Sequence, residues 1–388
     1  MATGIYNWAM TLPASFSQLY AIFLGADPMV LGLLSSFSNL AGVLTSIPVG
    51  WFMAKYGLKP VLIGGFLTLA ISALAYAVAG EWSALIPAVV LAGVSPALTF
   101  PVADIVIVEA TGRGSRATAI GVSRVVWSLF SLAAPPAATL IVASFGGLSA
   151  EGIRPLFVVQ MAVLIAGAAL LYLHLSDGEQ RARSRASFRE VVNSLRLLFR
   201  GRSAAWFLAM ATQRFSMAMA FSFLPLWAVT ARGADEYTIG AMNSAGLAAS
   251  IASSTVAGAL ADRKGWFGVF LATRSLTYAG TLIAFLLPRR DVLVLAGALG
   301  IVGYAYGAGA SSFIPFITAF WEAAPAEHRG AWYAASSLLG GLVATGAPII
   351  GGAVWELGYR DAVLLLPMVV DALGLVAAWR ASRPRSEA

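Results

Sequence analysis

The chain has 388 residues, 59% of them hydrophobic and only 11% charged, with no cysteine and a formal net charge of +7. That composition lies outside the range of water-soluble domains, and the missing cysteines exclude disulfides, thiolate nucleophiles and cysteine-held metals. In chain order, apolar runs long enough to cross a ~30 Å hydrocarbon core as helix are expected at about 4–24, 29–54, 60–80, 83–109, 117–145, 155–175, 204–231, 237–261, 267–287, 292–320, 330–355 and 362–380. Many exceed 20 residues and run without alternation, so they read as helices rather than barrel strands. The first run lacks a basic leader and a clear small-residue cleavage site, and reads as a retained helix. The expected fold class is an all-α integral membrane protein with twelve transmembrane helices.

The positive charge is unevenly placed. With the N-terminus inside, 17 of the 25 basic residues fall in cytoplasmic segments, among them Lys55, Lys59, Arg113, Arg116, Arg263, Lys264 and Arg329. The opposite face holds only Arg154, Arg232, Arg289, Arg290 and Arg360. Basic residues are retained on the cytoplasmic side, so the excess is a topology signal that places both termini inside a cell (inner or plasma) membrane. It does not point to nucleic acid.

The chain also repeats itself. A shift of 208 lays "GADPMVLG" (Gly25–Gly32) over "GADEYTIG" (Gly233–Gly240) and pairs Gly50 with Gly258 and Gly57 with Gly265; a shift of 213 pairs Glu109 with Glu322, Arg116 with Arg329 and Pro135 with Pro348. An even number of crossings makes the two copies parallel repeats. The expected domains are bundles at 1–175 and 204–388, joined by a basic cytoplasmic linker at 176–203 whose second part, Phe188 to Phe199, has the spacing of a surface helix.

Between the second and third helices of the C-terminal copy stands "GALADRKG" (Gly258–Gly265), with a worn counterpart, "GWFMAKYG" (Gly50–Gly57). The pattern Gly-x-x-x-Asp-Arg-x-Gly resembles the signature loop of the major facilitator superfamily, and the resemblance extends over the whole chain. It implies that fold, two pseudo-symmetric six-helix bundles, and a gating latch at the cytoplasmic face made of Gly50, Lys55, Gly57, Glu109, Gly258, Asp262, Arg263, Gly265 and Glu322. Asp262 would meet the start of helix five near Arg116, and Arg263 would approach Glu322. Ala54 stands where the N-terminal copy should carry its acid, so the latch is expected to be lopsided.

Charges within a span cost ~2.5–3.5 kcal/mol on insertion scales and are therefore candidate functional groups. Five stand out: Asp104, Arg124, Arg214, Arg274 and Asp371. Asp104 and Arg124 lie symmetrically about the hairpin near Arg113 and are expected to pair, an arrangement similar to the sugar/proton symporter branch, with Asp104 as the proton-coupling candidate. Arg274 and Asp371, at comparable depth on helices nine and twelve, are expected to form a structural pair. The candidate substrate-binding residues are Arg124, Arg214, Gln213, Gln18, Tyr20, Trp127, Tyr304, Tyr306, Trp332 and Tyr333, with Asn7 beside them. "GAPIIGG" (Gly346–Gly352) resembles a motif of proton-coupled drug exporters, but on helix eleven rather than helix five, where the chain has "AAPPAA".

No P-loop or metal cluster competes with this reading, and His174 and His328 are far apart. The sequence thus predicts a non-enzyme without cofactor or metal: a monomeric secondary transporter, surrounded by lipid, moving a small molecule by alternating access, actively or by facilitation, with proton coupling as one option and an anionic or polar organic solute as the favoured cargo. An exporter of drugs or lipids, and a non-transporting sensor or scaffold on the same fold, are the alternatives.

Overall fold

The computed structural model describes residues 2–46, 48–109, 111, 116–175, 201–324 and 329–382. Every regular element among them is helical. Ten helices are long and apolar enough to cross a membrane. The two expected spans that miss this test, 4–24 and 292–320, are interrupted.

The first becomes α1 (Ala2–Thr11) and α2 (Ser17–Phe23). Pro13 has no N–H to return to Ala9, so the helix stops ahead of it and resumes after one turn, with Ser17 N–H bonding the Pro13 carbonyl at 2.8 Å. The same cause divides the second span into α3 (Pro28–Ser46) and α4 (Val49–Tyr56) at Pro48, and the fifth into α7 (Arg116–Leu132) and α8 (Ala134–Ser144), which opens on Pro135 and Pro136. The remaining helices of this half are α5 (Leu58–Val78), α6 (Leu85–Glu109) and α9 (Ala150–His174).

The second half runs through α10 (Gly201–Arg232), α11 (Glu236–Lys264), α12 (Trp266–Leu286), α13 (Val292–Leu299), a 3-10 turn (Ala308–Ser312), α14 (Phe313–Glu322), α15 (Arg329–Glu356) and α16 (Ala362–Ser382). Here the interruption has another cause. Gly300, Gly303 and Gly307 take φ values of +108°, +78° and +104°, conformations open to glycine and strained for other residues. Eight residues between α13 and the 3-10 turn are therefore non-helical, although Gly300–Tyr304 and Gly307 are buried. Non-helical backbone at membrane depth is tolerated only inside protein or along a polar cavity. The protein answers several of the freed N–H groups: Gly300 bonds Ala296 O at 2.8 Å, Gly307 bonds Gly246 O at 2.9 Å, and Val302 bonds Thr281 Oγ1 at 2.8 Å.

The chain divides into two compact units, Met1–Arg185 with Asp235–Ser244, and Ala186–Ala234 with Ala245–Ala388. The start of α11 groups with the first unit, where Gly240 lies against Thr139 of α8. In the first unit α5 packs on α6 and α9. Tyr6, fully buried, shares a 2.6 Å hydrogen bond with Ser95 and stacks obliquely on Phe66. A side chain at Gly93 would overlap the Ser38 carbonyl, so glycine sets the close approach of α3 and α6. The second unit packs α10 on α15 and α16 around an aromatic cluster of Trp206, Phe207, Phe316, Phe320 and Trp332.

Positions related by the 208 shift share backbone geometry. Gly57 and Gly265 both have φ +86°, and each donates its N–H at 3.0 Å to the carbonyl four residues back, Met53 and Ala261. Asp27 Oδ1 accepts from Val30 N–H at 2.7 Å, and Asp235 Oδ1 accepts from Thr238 N–H at 2.8 Å. Each aspartate satisfies an orphan donor of the helix it starts.

Candidate functional site

The loop glycines are explained by conformation rather than crowding. A Cβ on Gly265 would meet nothing within 4 Å, and one on Gly57 would only touch Pro60. With φ +86° and ψ of 172° and 144°, both residues sit where only glycine is comfortable. Each ends one helix and starts the next within a single residue, which turns the chain sharply at α4–α5 and α11–α12.

Asp262, Arg263 and Lys264 close α11, all exposed. The two basic residues complement the negative end of that helix. Glu322, also exposed, ends α14, and among the described residues no ion pair joins it to Arg263 in this conformation. In the other half Lys55 lies over the rings of Trp51 (4.6 Å) and Tyr56 (5.0 Å), a cation–π arrangement within its own turn. Gly50 and Gly258 lie within α4 and α11 with open space or ordinary contact around them. The side chains of Ala54, Glu109 and Arg116 are outside the described residues.

The candidate substrate residues separate into enclosed and open groups. Tyr20 is fully buried; its hydroxyl donates to Tyr76 O at 3.0 Å and accepts from Arg154 Nε at 3.3 Å. Arg154 also bonds Ala79 O, so the pair ties α9 to the end of α5. Trp127 is enclosed and bonds Thr3 Oγ1 at 2.6 Å, while Asn7 bonds Ser131 Oγ at 2.6 Å, so α1 and α7 are stitched together by polar side chains. Trp332 is 1% exposed, wedged against Phe207 and Phe320, and its indole N–H finds no acceptor. Gln18 is half-buried and accepts from Ser17.

Arg214 is different. It is exposed in the middle of the 32-residue α10, with Gln213 half-buried beside it. Its aliphatic stem lies against Gly340 of α15, where a Cβ would come within 3.2 Å of Arg214 Cγ. Seven residues on along the same face of α10, Phe221 stacks on Tyr304, which meets Tyr306 edge to face at 5.0 Å. Thus Arg214, Tyr304 and Tyr306 belong to one unit and to neighbouring elements. Asp104 is half-buried on α6; the side chains of Arg124 and Tyr333 are outside the described residues.

Arg274 and Asp371 pair as expected, near the middle of α12 and α16. Arg274 Nε bonds Asp371 Oδ2 at 2.8 Å and Nη2 bonds Oδ1, while Tyr278 donates to Oδ2 at 2.6 Å. The remaining guanidinium arm reaches Ser312 Oγ at 3.3 Å, at the foot of the interrupted helix. Sequence reasoning placed the two charges at one depth but missed Tyr278, one turn beyond Arg274 on the same helix, and Ser312, which reaches the pair from the 3-10 turn of the broken tenth span.

A family model of the Major Facilitator Superfamily matches residues 1–348. The chain belongs to the Major Facilitator Superfamily. Solved structures of the superfamily's fold agree over nearly the whole chain. The nucleoside transporter NupG aligns at TM-score 0.80 and 15% identity, covering 98% of this chain and 99% of its own. A transporter of the POT family, solved with 5-aminolevulinic acid, aligns at 0.73 and 10%, covering 98% and 96%. A bacterial homologue of the human lysosomal transporter Spinster, inward-facing and unoccupied, aligns at 0.70 and 16%, covering 100% and 98%. Comparison with curated protein sequences finds no match. As a superfamily member, the chain is a multi-pass membrane transport protein.

Proposed function

We propose that this chain moves a small polar or anionic organic solute by alternating access between two six-helix bundles, residues 1–175 and 204–388, with both termini cytoplasmic. On this reading the ten helices long and apolar enough to cross, together with the broken spans 4–24 and 292–320, make twelve crossings. The observation that carries the choice of solute is Arg214. A guanidinium exposed in mid-span is expensive against lipid and is retained where it meets water or a ligand anion. Its neighbours supply the rest of the surface: Gln213 offers an amide, Gly340 leaves room for the stem, and the half-buried Phe221 and Tyr306 stand nearby, backed by the buried Tyr304. Tyr20, Trp127 and Trp332, enclosed by protein, support packing in the described conformation; Gln18, Arg124 and Tyr333 complete the proposed lining.

A thermal-shift panel of sugars, nucleosides, organic anions, metals and lipophilic drugs on the purified protein tests this. An anionic or strongly polar solute should raise the unfolding midpoint of the wild type, and Arg214→Gln should weaken its apparent affinity by about tenfold to a hundredfold, since a hydrogen bond to a charged group contributes ~1.5–3 kcal/mol. A response confined to lipophilic drugs, unchanged in Arg214→Gln, would point to the exporter instead.

For the latch, we propose that Asp262 meets the start of helix five when the cytoplasmic ends close, with Arg263 near Glu322. Partly exposed pairs contribute only ~0.2–1 kcal/mol each, so the helix-dipole contact of Asp262 should dominate. Asp262→Asn should then shift spin-label distances across the cytoplasmic face toward the open-inward population. An unchanged distribution would leave the loop as a topology-setting turn. Asp104 is the proposed proton carrier if protons are coupled, and Asp104→Asn should abolish pH-driven flux while leaving solute exchange measurable.

A further inference from the structure

We infer that the break in the tenth span assembles an aromatic platform from Phe221, Tyr304 and Tyr306, and that this platform takes a flat ring of the solute whose anionic group meets Arg214. On the transporter reading, on which this rests, the solute is therefore an anion that carries an aromatic or conjugated ring at its far end. All four residues lie in the second unit.

Backbone geometry comes first. In an α-helix, residues two apart point roughly 200° away from each other about the axis, so a continuous tenth span would turn Tyr304 and Tyr306 to opposite sides. In the broken span their ring centroids are 5.0 Å apart at an interplanar angle of 87°. Tyr304 in turn stacks on Phe221 of α10, at 6.1 Å with 26° between the planes. Main chain holds the loop in this place. A Cβ on Gly303 would overlap the Ser216 carbonyl of α10, and one on Gly246 of α11 would come within 2.9 Å of Tyr306 Cβ. Gly307, next after Tyr306, donates its N–H to Gly246 O at 2.9 Å. Giving up helical bonds at membrane depth is tolerated where backbone is buried in protein or lines a cavity. What the break yields is a cluster of three rings that the two tyrosines cannot reach from one helix.

Two polar groups mark this surface as one that does not face lipid. Arg214 is exposed on α10, and a guanidinium in mid-span against hydrocarbon is expensive. Tyr306 adds a hydroxyl with no hydrogen bond among the described residues. The orphan groups of Thr277, Trp206 and Trp332 are sealed inside protein, whereas Tyr306 is half-buried and its hydroxyl is not enclosed. Phe221 is half-buried as well, and both residues adjoin the enclosed Tyr304. Aromatic rings prefer offset-stacked or edge-on partners of their own kind and gain from them beyond the area buried, so a flat ring is favoured here over a puckered apolar group of the same size. Phe221 follows Arg214 by seven residues on the same face of α10, about 10 Å further along its axis, with the exposed Met217 between them. The anionic group and the ring of the solute are thus expected at opposite ends of it.

The test follows the unfolding midpoint of the purified full chain in concentration series of 6-phenylhexanoate, 6-cyclohexylhexanoate, 6-phenylhexanol and phenylacetate. Phenylhexanoate should raise the midpoint saturably, as expected for a ligand that binds only the folded state. Cyclohexylhexanoate, equal in charge and length but puckered, should need about twofold to tenfold more for the same shift, and phenylacetate, too short to reach both groups, should also be weaker than phenylhexanoate. Tyr306→Leu should erase the preference for the flat ring, and Arg214→Gln should erase the preference for the acid over the alcohol. A wild type that ignores phenylhexanoate or answers the two hexanoates equally overturns the inference, as does a flat-ring preference undiminished in Tyr306→Leu; if that variant fails to fold, the wild-type comparison of the two hexanoates decides. The two proposals fail in different ways. If both hexanoates stabilise equally and Arg214→Gln weakens both, the anionic reading stands and the platform falls. If the alcohol matches the acid, Arg214→Gln changes neither, and the flat ring is still preferred, the platform stands and the anionic reading falls.

Discussion

Asp371→Asn should destabilise the protein by about 3–5 kcal/mol, the cost typical of leaving one member of a buried ion pair without its counter-charge. Asp371 is 2% exposed and Arg274 10%, so water cannot take over the interaction. The asparagine keeps the shape and one acceptor but abandons a guanidinium among α12, α16 and the 3-10 turn, and it also leaves Tyr278 with a weaker acceptor. Arg274→Met should cost a similar amount for the mirrored reason. The double variant Arg274→Met with Asp371→Leu should recover most of the loss, because replacing a buried pair by apolar groups of similar volume is often neutral. Unfolding in detergent by heat or denaturant measures all three. If the single variants unfold like the wild type, the pair does not hold these helices together.

Gly303→Ala should be the most damaging single methyl in the second unit. At φ +78° an alanine carries strain of about 1–3 kcal/mol. The added Cβ would also overlap the Ser216 carbonyl of α10 and approach the Ala220 Cβ to 2.9 Å, and main chain cannot step aside as a flexible side chain can. Gly346→Ala is the control: that glycine is helical with nothing within 4 Å of its Cβ, so the substitution should be neutral or mildly stabilising. A comparable loss in both variants would mean that helix ten is not held in the interrupted form.

How far the sequence carries can be judged from these positions. Membrane spans and the helical class were legible because hydropathy depends on composition alone, and the loop glycines were legible because Gly57 and Gly265 recur at one spacing and take one conformation. The pairing of Arg274 with Asp371 followed from equal depth. The interruptions were not anticipated. Hydropathy sums over "GIVGYAYG" (Gly300–Gly307) as readily as over a helix, and the departure from helix depends on φ values that a window does not sense. The signal was three glycines within eight residues, and Pro13 was its counterpart in helix one. Tyr20 and Trp332 were equally hard to place: an aromatic residue in a span packs or binds with the same composition, and only burial separates the two uses. Arg214 stood out because charge in a span has few uses.

The central claim, transport of a polar or anionic solute by alternating access, is tested most directly by flux into vesicles reconstituted with the full chain. The best stabilising solute from the thermal panel should enter saturably, accelerate when unlabelled solute waits on the opposite side, and lose most of its uptake in Arg214→Gln while the variant remains folded. Vesicles that take up no solute from the panel above empty controls, with the protein folded and correctly inserted, would contradict the account and leave a non-transporting membrane protein on the same fold.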